Sequence, residues 1–161
     1  MPAITQNITP FLWFDTQAEE AMEFYTSIFP GSKVVGVSRY GDAGPGPKGS
    51  VMTATFELAG LRFTALNGGP QYRFTEAVSF AVDCKGQAEV DHYWSRLSEG
   101  GEPGRCGWLK DRYGLSWQVV PTRLAELLTD KDPKRASRAM KAMLKMSKID
   151  VAALERAAAK A

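Results

Sequence analysis

Ser116 and Gln118 stand two residues apart in Gly114-Leu115-Ser116-Trp117-Gln118-Val119-Val120. Arg62 and Thr64 take the matching positions in Gly60-Leu61-Arg62-Phe63-Thr64-Ala65-Leu66, 54 residues earlier. A spacing of two puts both polar groups of each stretch on one face of a strand, with Leu115, Trp117 and Val119 on the other. Hydroxyls, a carboxamide and a guanidinium are hydrogen-bonding groups for holding a ligand. Proton transfer needs imidazole or a tuned carboxylate. The one histidine, His92, lies in a helical stretch, so no Ser/His/Asp triad is expected. Two cysteines, Cys84 and Cys106, make neither a disulfide framework nor a zinc cluster and are expected as small buried apolar groups. Gly44-Pro45-Gly46-Pro47-Lys48-Gly49 fits G-x-G-x-x-G, but it holds two prolines and leads into a strand. A phosphate cradle opens a helix instead, so this stretch is predicted to be a loop.

These residues are positioned by two copies of one module. Ile8 to Phe14 is predicted to be a strand. Thr16 with Glu19 has the capping-box spacing, and Ala18, Ala21, Met22, Tyr25 and Ile28 follow at helical intervals. Pro30-Gly31 ends that helix. Strands are predicted over Val34–Tyr40, Val51–Leu58 and Leu61–Leu66, with a loop at 41–49 and a two-residue hairpin turn at Ala59-Gly60. The order is β-α-β-β-β. At an offset of 69 the same order restarts near Glu76, with Ile8 matching Ala77, Phe11 matching Phe80 and Ile28 matching Leu97. The second helix runs about Gln87 to Ser98. The offset falls to 54 by the last strand, so the second module is 15 residues shorter, lost between Gly101 and Asp111. Asp111-Arg112-Tyr113-Gly114 reads as a tight turn and Pro121 ends the last strand. Repeats of this kind bury their faces together.

After Pro121 the pattern is helical: Thr122 to Leu128, then Asp132-Pro133 as N-cap and first residue of a helix to about Met146, then a segment capped by Asp150. Ala136, Ala139, Met140, Met143 and Leu144 form an apolar stripe with a basic rim. It is expected to dock on the domain or on a partner subunit. Residues 121–161 carry ten Lys/Arg and five Asp/Glu; the first 120 carry ten and thirteen. The net charge of +2 is too small to argue for nucleic acid, which is not expected as a partner. A chain of 161 residues, 44% hydrophobic and 24% charged, has the composition of a globular protein. No apolar run reaches the roughly 20 residues of a membrane span, and no signal-peptide pattern opens the chain, so no membrane association and a cytoplasmic location are expected.

Two β-α-β-β-β modules resemble the vicinal oxygen chelate superfamily, which includes glyoxalase I, bleomycin-resistance proteins and extradiol dioxygenases. Ile8-Thr9-Pro10-Phe11-Leu12-Trp13-Phe14, Phe24-Tyr25, Leu66-Asn67-Gly68-Gly69-Pro70 and Cys106-Gly107-Trp108 through Pro121 are similar to the PhnB-like branch, often labelled 3-demethylubiquinone-9 3-methyltransferase. The resemblance covers about residues 4–121. It implies an α+β fold in which tandem half-barrels form a cup, with modules at about 4–70 and 71–121 in a 1–121 domain and a helical extension over 122–161.

In metal-binding members of the superfamily, ligands sit on the first and last strand of each module. Carried over, those positions are Ile8, Thr64, Ala77 and Gln118, none of them a carboxylate, imidazole or thiolate. The resemblance therefore implies no metal and no cofactor here. A slip of one residue would substitute Glu76 for Ala77. With the cup, strand parity points Thr64, Ser79, Ser116 and Gln118 inward, with Arg62 near the rim and Phe63, Phe80, Leu115 and Trp117 toward the helices. The expected function is metal-independent binding of a small organic molecule in the cup, whether or not it is catalytic. The alternatives are a non-catalytic dimeric interaction protein using its basic tail, and the methyltransferase of the family label. A homodimer is expected, with the 133–146 helix near its interface.

Overall fold

The computed structural model describes residues 6–160, which form two four-stranded mixed sheets and five helices. The chain divides into two compact units between Arg73 and Phe74. No described helix is long and apolar enough to cross a membrane.

The first unit contains β1 (Phe11–Phe14), α1 (Ala18–Ile28), β2 (Lys33–Arg39), β3 (Val51–Leu58) and β4 (Leu61–Asn67). Its sheet order is β1-β4-β3-β2, with β1 parallel to β4 and the other pairs antiparallel. Ala59 and Gly60 turn the β3–β4 hairpin with φ of 48° and 83°, as a type I′ turn requires. Leu12, Phe14, Phe56 and Phe63 are buried with Met22 and Tyr25 of α1. Tyr25 stacks on Phe56 at 6.0 Å and Phe56 on Phe63 at 5.6 Å.

Two local expectations are corrected. The first strand starts at Phe11, and Ile8 lies before it, 86% exposed. Pro10 has no N–H to donate, and only its carbonyl joins β4, accepting from Thr64 N–H at 3.0 Å. The Thr16–Glu19 capping box does not form. The N-cap is Gln17, with no side-chain cap of its own. Asn67 at the end of β4 does that work: its Oδ1 accepts from Ala18 N–H at 2.8 Å and its Nδ2 donates to Val51 O at 3.1 Å. A long-range carboxamide has displaced the local cap.

The second unit contains β5 (Ser79–Cys84), α2 (Gln87–Ser98), β6 (Glu102–Pro103), β7 (Trp108–Lys110) and β8 (Ser116–Pro121), in sheet order β5-β8-β7-β6. Ten of the missing residues come from β6 and β7, which have two and three residues where β2 and β3 have seven and eight, and the connection between them shortens from residues 40–50 to residues 104–107.

The offset of 69 holds for the helices but not for the first strands. Leu12 pairs with Ala65, and Val82 pairs with Val119. Ala65 and Val119 are 54 apart, so Leu12 corresponds to Val82 at an offset of 70. Three residues link β1 to α1 and two link β5 to α2, which absorbs the difference. The counterpart of Ile8 is therefore Val78, not Ala77.

Three further helices belong to the second unit: α3 (Thr122–Leu128), α4 (Pro133–Met143) and α5 (Val151–Ala159). Asp132 Oδ1 caps α4 by accepting from Lys134 N–H at 2.9 Å, and Asp150 Oδ1 caps α5 through Ala153 N–H at 2.9 Å. The α4 helix ends at Met143 rather than Met146. Its buried seam is Ala139, Ala142 and Met143, continued by Met146, against Leu124, Leu127, Ile149 and Leu154. The predicted stripe was rotated from this seam, so Met140 and Leu144 stay 40% and 54% exposed.

The segment between α4 and α5 is fastened to the β6–β7 loop. Cys106 N–H donates to Met146 O at 2.9 Å and Gly107 N–H to Ser147 O at 2.8 Å. Gly107 has φ of 84°, and a Cβ there would lie 2.8 Å from Val119 O and 3.2 Å from Ile149 Cγ1. The glycine in Cys106-Gly107-Trp108 is thus required by conformation and by close approach.

Candidate functional site

Alternation along β8 sends Trp117 and Val119 into the core and leaves Ser116 and Gln118 on the opposite face of the sheet. Asp111 fixes that parity. Its buried Oδ1 accepts from Tyr113 N–H at 2.9 Å and Leu115 N–H at 3.1 Å, and its Oδ2 accepts from Trp117 Nε1–H at 2.9 Å. One carboxylate closes the β7–β8 turn and sets the indole. The sequence marks the turn, but this third bond is a tertiary contact.

The register then assembles a polar row across four strands. Glu102 pairs with Lys110, Lys110 with Ser116, and Ser116 with Ser79. In the next row Trp108 pairs with Gln118 and Gln118 with Ala81. Gln118 Nε2 donates to Ser79 Oγ at 2.9 Å. Lys110 forms an ion pair with Glu76. Their hydrogen bond raises the Lys110 pKa and lowers that of Glu76. Ser116 is 1% exposed, and its Oγ has no hydrogen-bond partner. It borders a cavity of about 180 Å³ together with Trp108, Lys110, Glu76, Glu102 and Gly104.

Three of the five residues expected at the site, Ser79, Ser116 and Gln118, are therefore brought together on one face. Trp108, Lys110 and Glu102 join them without having been foreseen. Their strands are too short to show alternation, although Trp108 and Lys110 keep the spacing of two. The other two expected residues belong to the first unit. Thr64 is buried, with Oγ1 3.3 Å from Thr55 Oγ1. Arg62 is engaged: its Nη2 donates to Glu57 at 2.9 Å, and Gln6 accepts from its N–H at 2.9 Å and donates to its carbonyl at 2.8 Å.

Gly44–Gly49 is a turn-rich loop between β2 and β3. A Cβ at Gly44 would sit 2.6 Å from Tyr40 Cδ1, and one at Gly46 would overlap the same ring. These glycines let the loop close over Tyr40, whose hydroxyl donates to Asn67 O, and they head no helix. His92 lies on α2 with its ring 5.0 Å from that of Tyr93. Cys84 is buried and Cys106 is partly exposed.

Among the described residues no three His, Cys, Asp or Glu side chains gather as a metal site. At the strand positions that the superfamily uses, Thr64 and Gln118 offer one neutral oxygen each. The polar neighbour of Gln118 on β5 is Ser79, and its counterpart by register in the first unit is Thr9. A divalent cation calls for anionic oxygen or for imidazole, so this donor set does not fit one.

The family model described as 3-demethylubiquinone-9 3-methyltransferase matches residues 6–120, which leaves α3, α4 and α5 beyond it. A Bacillus cereus structure named as a 3-demethylubiquinone-9 3-methyltransferase, PhnB protein, is 40% identical, with a TM-score of 0.67 over 73% of this chain and 100% of that one. Pseudomonas aeruginosa PA1353 is 22% identical, with a TM-score of 0.61 over 73% of this chain and 98% of that one. The fosfomycin resistance protein FosX of Listeria monocytogenes is 19% identical, with a TM-score of 0.51 over 76% of this chain and 98% of that one. These last two likenesses show a shared fold. No curated protein matches the chain.

Proposed function

Since this chain belongs to the 3-demethylubiquinone-9 3-methyltransferase family, the PhnB-like branch of the vicinal oxygen chelate superfamily, we propose that it binds a small organic molecule, without a metal, on the polar face of its second sheet. The observation that carries this reading is the Ser116 hydroxyl. A buried hydroxyl without a partner costs free energy, and a ligand group that reached it from the adjoining cavity would restore the missing bond. Ser79 and Gln118 extend the polar surface, and Trp108 supplies apolar wall.

An NMR screen of small polar organic molecules tests this. Expected are shifts gathered at Ser79, Trp108, Ser116 and Gln118, unchanged by a chelator and reduced in Ser116→Ala. Binding that requires added manganese, or that gathers elsewhere, overturns the reading. Methyl transfer, the reaction in the family's name, would need a seated methyl donor. The stretch that fits G-x-G-x-x-G closes on Tyr40 and gives that reading no support.

Self-association is a second reading, and it rests on the uncovered flank of α4 at Met140 and Leu144. Four of the ten basic tail residues already have partners within the chain: Arg123, Arg135, Arg138 and Lys148. This favours an apolar rather than an electrostatic contact. Light scattering over a concentration series checks it, with a dimer expected and a concentration-independent monomer overturning it.

A further inference from the structure

The Ser116 hydroxyl both donates and accepts, so it does not by itself choose a ligand. The charges around it do. The charged residues that line the cavity are Glu76 and Glu102 against Lys110, one net negative charge in a chain whose overall charge is +2. Lys110 is already held by Glu76, so a ligand carboxylate would have to displace that partner with Glu102 across the strand pair. Glu102 makes no salt bridge among the described residues and feels the Lys110 ammonium only through a weaker charge interaction than the one Glu76 makes. Trp108 lines the same cavity, and the face of an indole attracts cations. At about 180 Å³ the space lies below the roughly 300–1,000 Å³ of drug-sized pockets, so it suits a small head group.

We propose that the ligand of this site is a small organic amine bound as its ammonium ion, with N–H groups on Ser116 Oγ and Glu102 and its carbon body against Trp108. This rests on the reading of the face as a ligand site. Carboxylate and hydroxyl accept from the ammonium, Glu102 offsets its charge, and Gln118 Oε1 is a further acceptor on the neighbouring row.

Three probes of one shape separate the two readings: 2-phenylethylamine, 2-phenylethanol and phenylacetate, each titrated into the ¹⁵N-labelled full chain. The Trp108 indole and the Ser116 and Gln118 amides are followed. The amine is expected to saturate at the lowest concentration and phenylacetate not to bind. Glu102→Gln should weaken the amine by about tenfold, as loss of a charge-assisted contact does. Raising the salt should weaken it too. Ser116→Ala should weaken it while the remaining resonances stay in place. Equal or tighter binding of the alcohol or the carboxylate at these resonances overturns the amine assignment and leaves the ligand site standing. No response there to any of the three overturns both.

Discussion

Gln87, the first residue of α2, grips Ile149 in the link between α4 and α5: its Nε2 donates to Ile149 O at 3.0 Å. The other end of the same carboxamide accepts from Val151 N–H at 2.9 Å. One side chain therefore pairs both backbone directions of a segment 62 residues away. Gln87→Ala leaves two part-buried backbone groups to find other partners, at a cost of about 1–3 kcal/mol. Hydrogen exchange over 149–160 is expected to quicken well before that of β5 and β8. Uniform quickening would mean that the tail does not open separately.

Gly107→Ala should destabilise the chain more than Gly49→Ala. Both glycines have positive φ, 84° and 85°, but nothing lies near a Cβ at Gly49, whereas one at Gly107 meets Val119 O and Ile149. The strain common to both is about 1–3 kcal/mol, so the excess in a urea titration measures the collision. Equal losses would mean that β8 and the tail both yield freely.

Asp111→Asn keeps an oxygen for the Tyr113 and Leu115 N–H groups if its N–H₂ turns toward Trp117 Nε1–H, and for Trp117 alone if its N–H₂ turns toward the turn amides. A loss of about 1–3 kcal/mol is expected, with a shifted Trp117 indole resonance. An unchanged resonance would show that the carboxylate does not set the indole.

Burial pushes the Cys84 thiol up to about 11 from an ordinary 9.0, and Glu89 and Asp83 add to the shift. The unfolded chain therefore loses this proton first. The contribution to stability is full below pH 9.0 and is lost as pH rises through about 11. Between pH 8 and 10.5 the urea midpoint of the wild type should fall further than that of Cys84→Ala. Parallel falls would refute the assignment.

The register can be tested by building a metal site at these strand positions. Gln118 touches Ser79, while Ala77 precedes β5. Ser79→His with Gln118→Glu should gain weak zinc affinity in a chelator competition, and Ala77→His with Gln118→Glu should not. The reverse order would return the strand to the 69-residue offset. The wild type is expected to take up no stoichiometric zinc.

Periodicity alone determined much of this protein. A two-residue period in 51–66 and 114–120 and a 3.6-residue period in 18–28 and 87–98 fix element type wherever one face must be buried. Asp132-Pro133 and Asp150 marked their helix starts because those caps are local. What the tertiary structure decided depends on partners far along the chain. Asn67 replaced Thr16 at the start of α1, and one residue absorbed in a loop moved the counterpart of Ile8 from Ala77 to Val78. The α4 seam turned toward Ile149 and Leu154. Ser116 and Gln118 could be read as polar strand positions from their spacing. That Ser116 is buried beside a cavity with Lys110, Trp108 and Glu102 depends on strands two and three residues long, whose register is set by their neighbours and not by any pattern of their own.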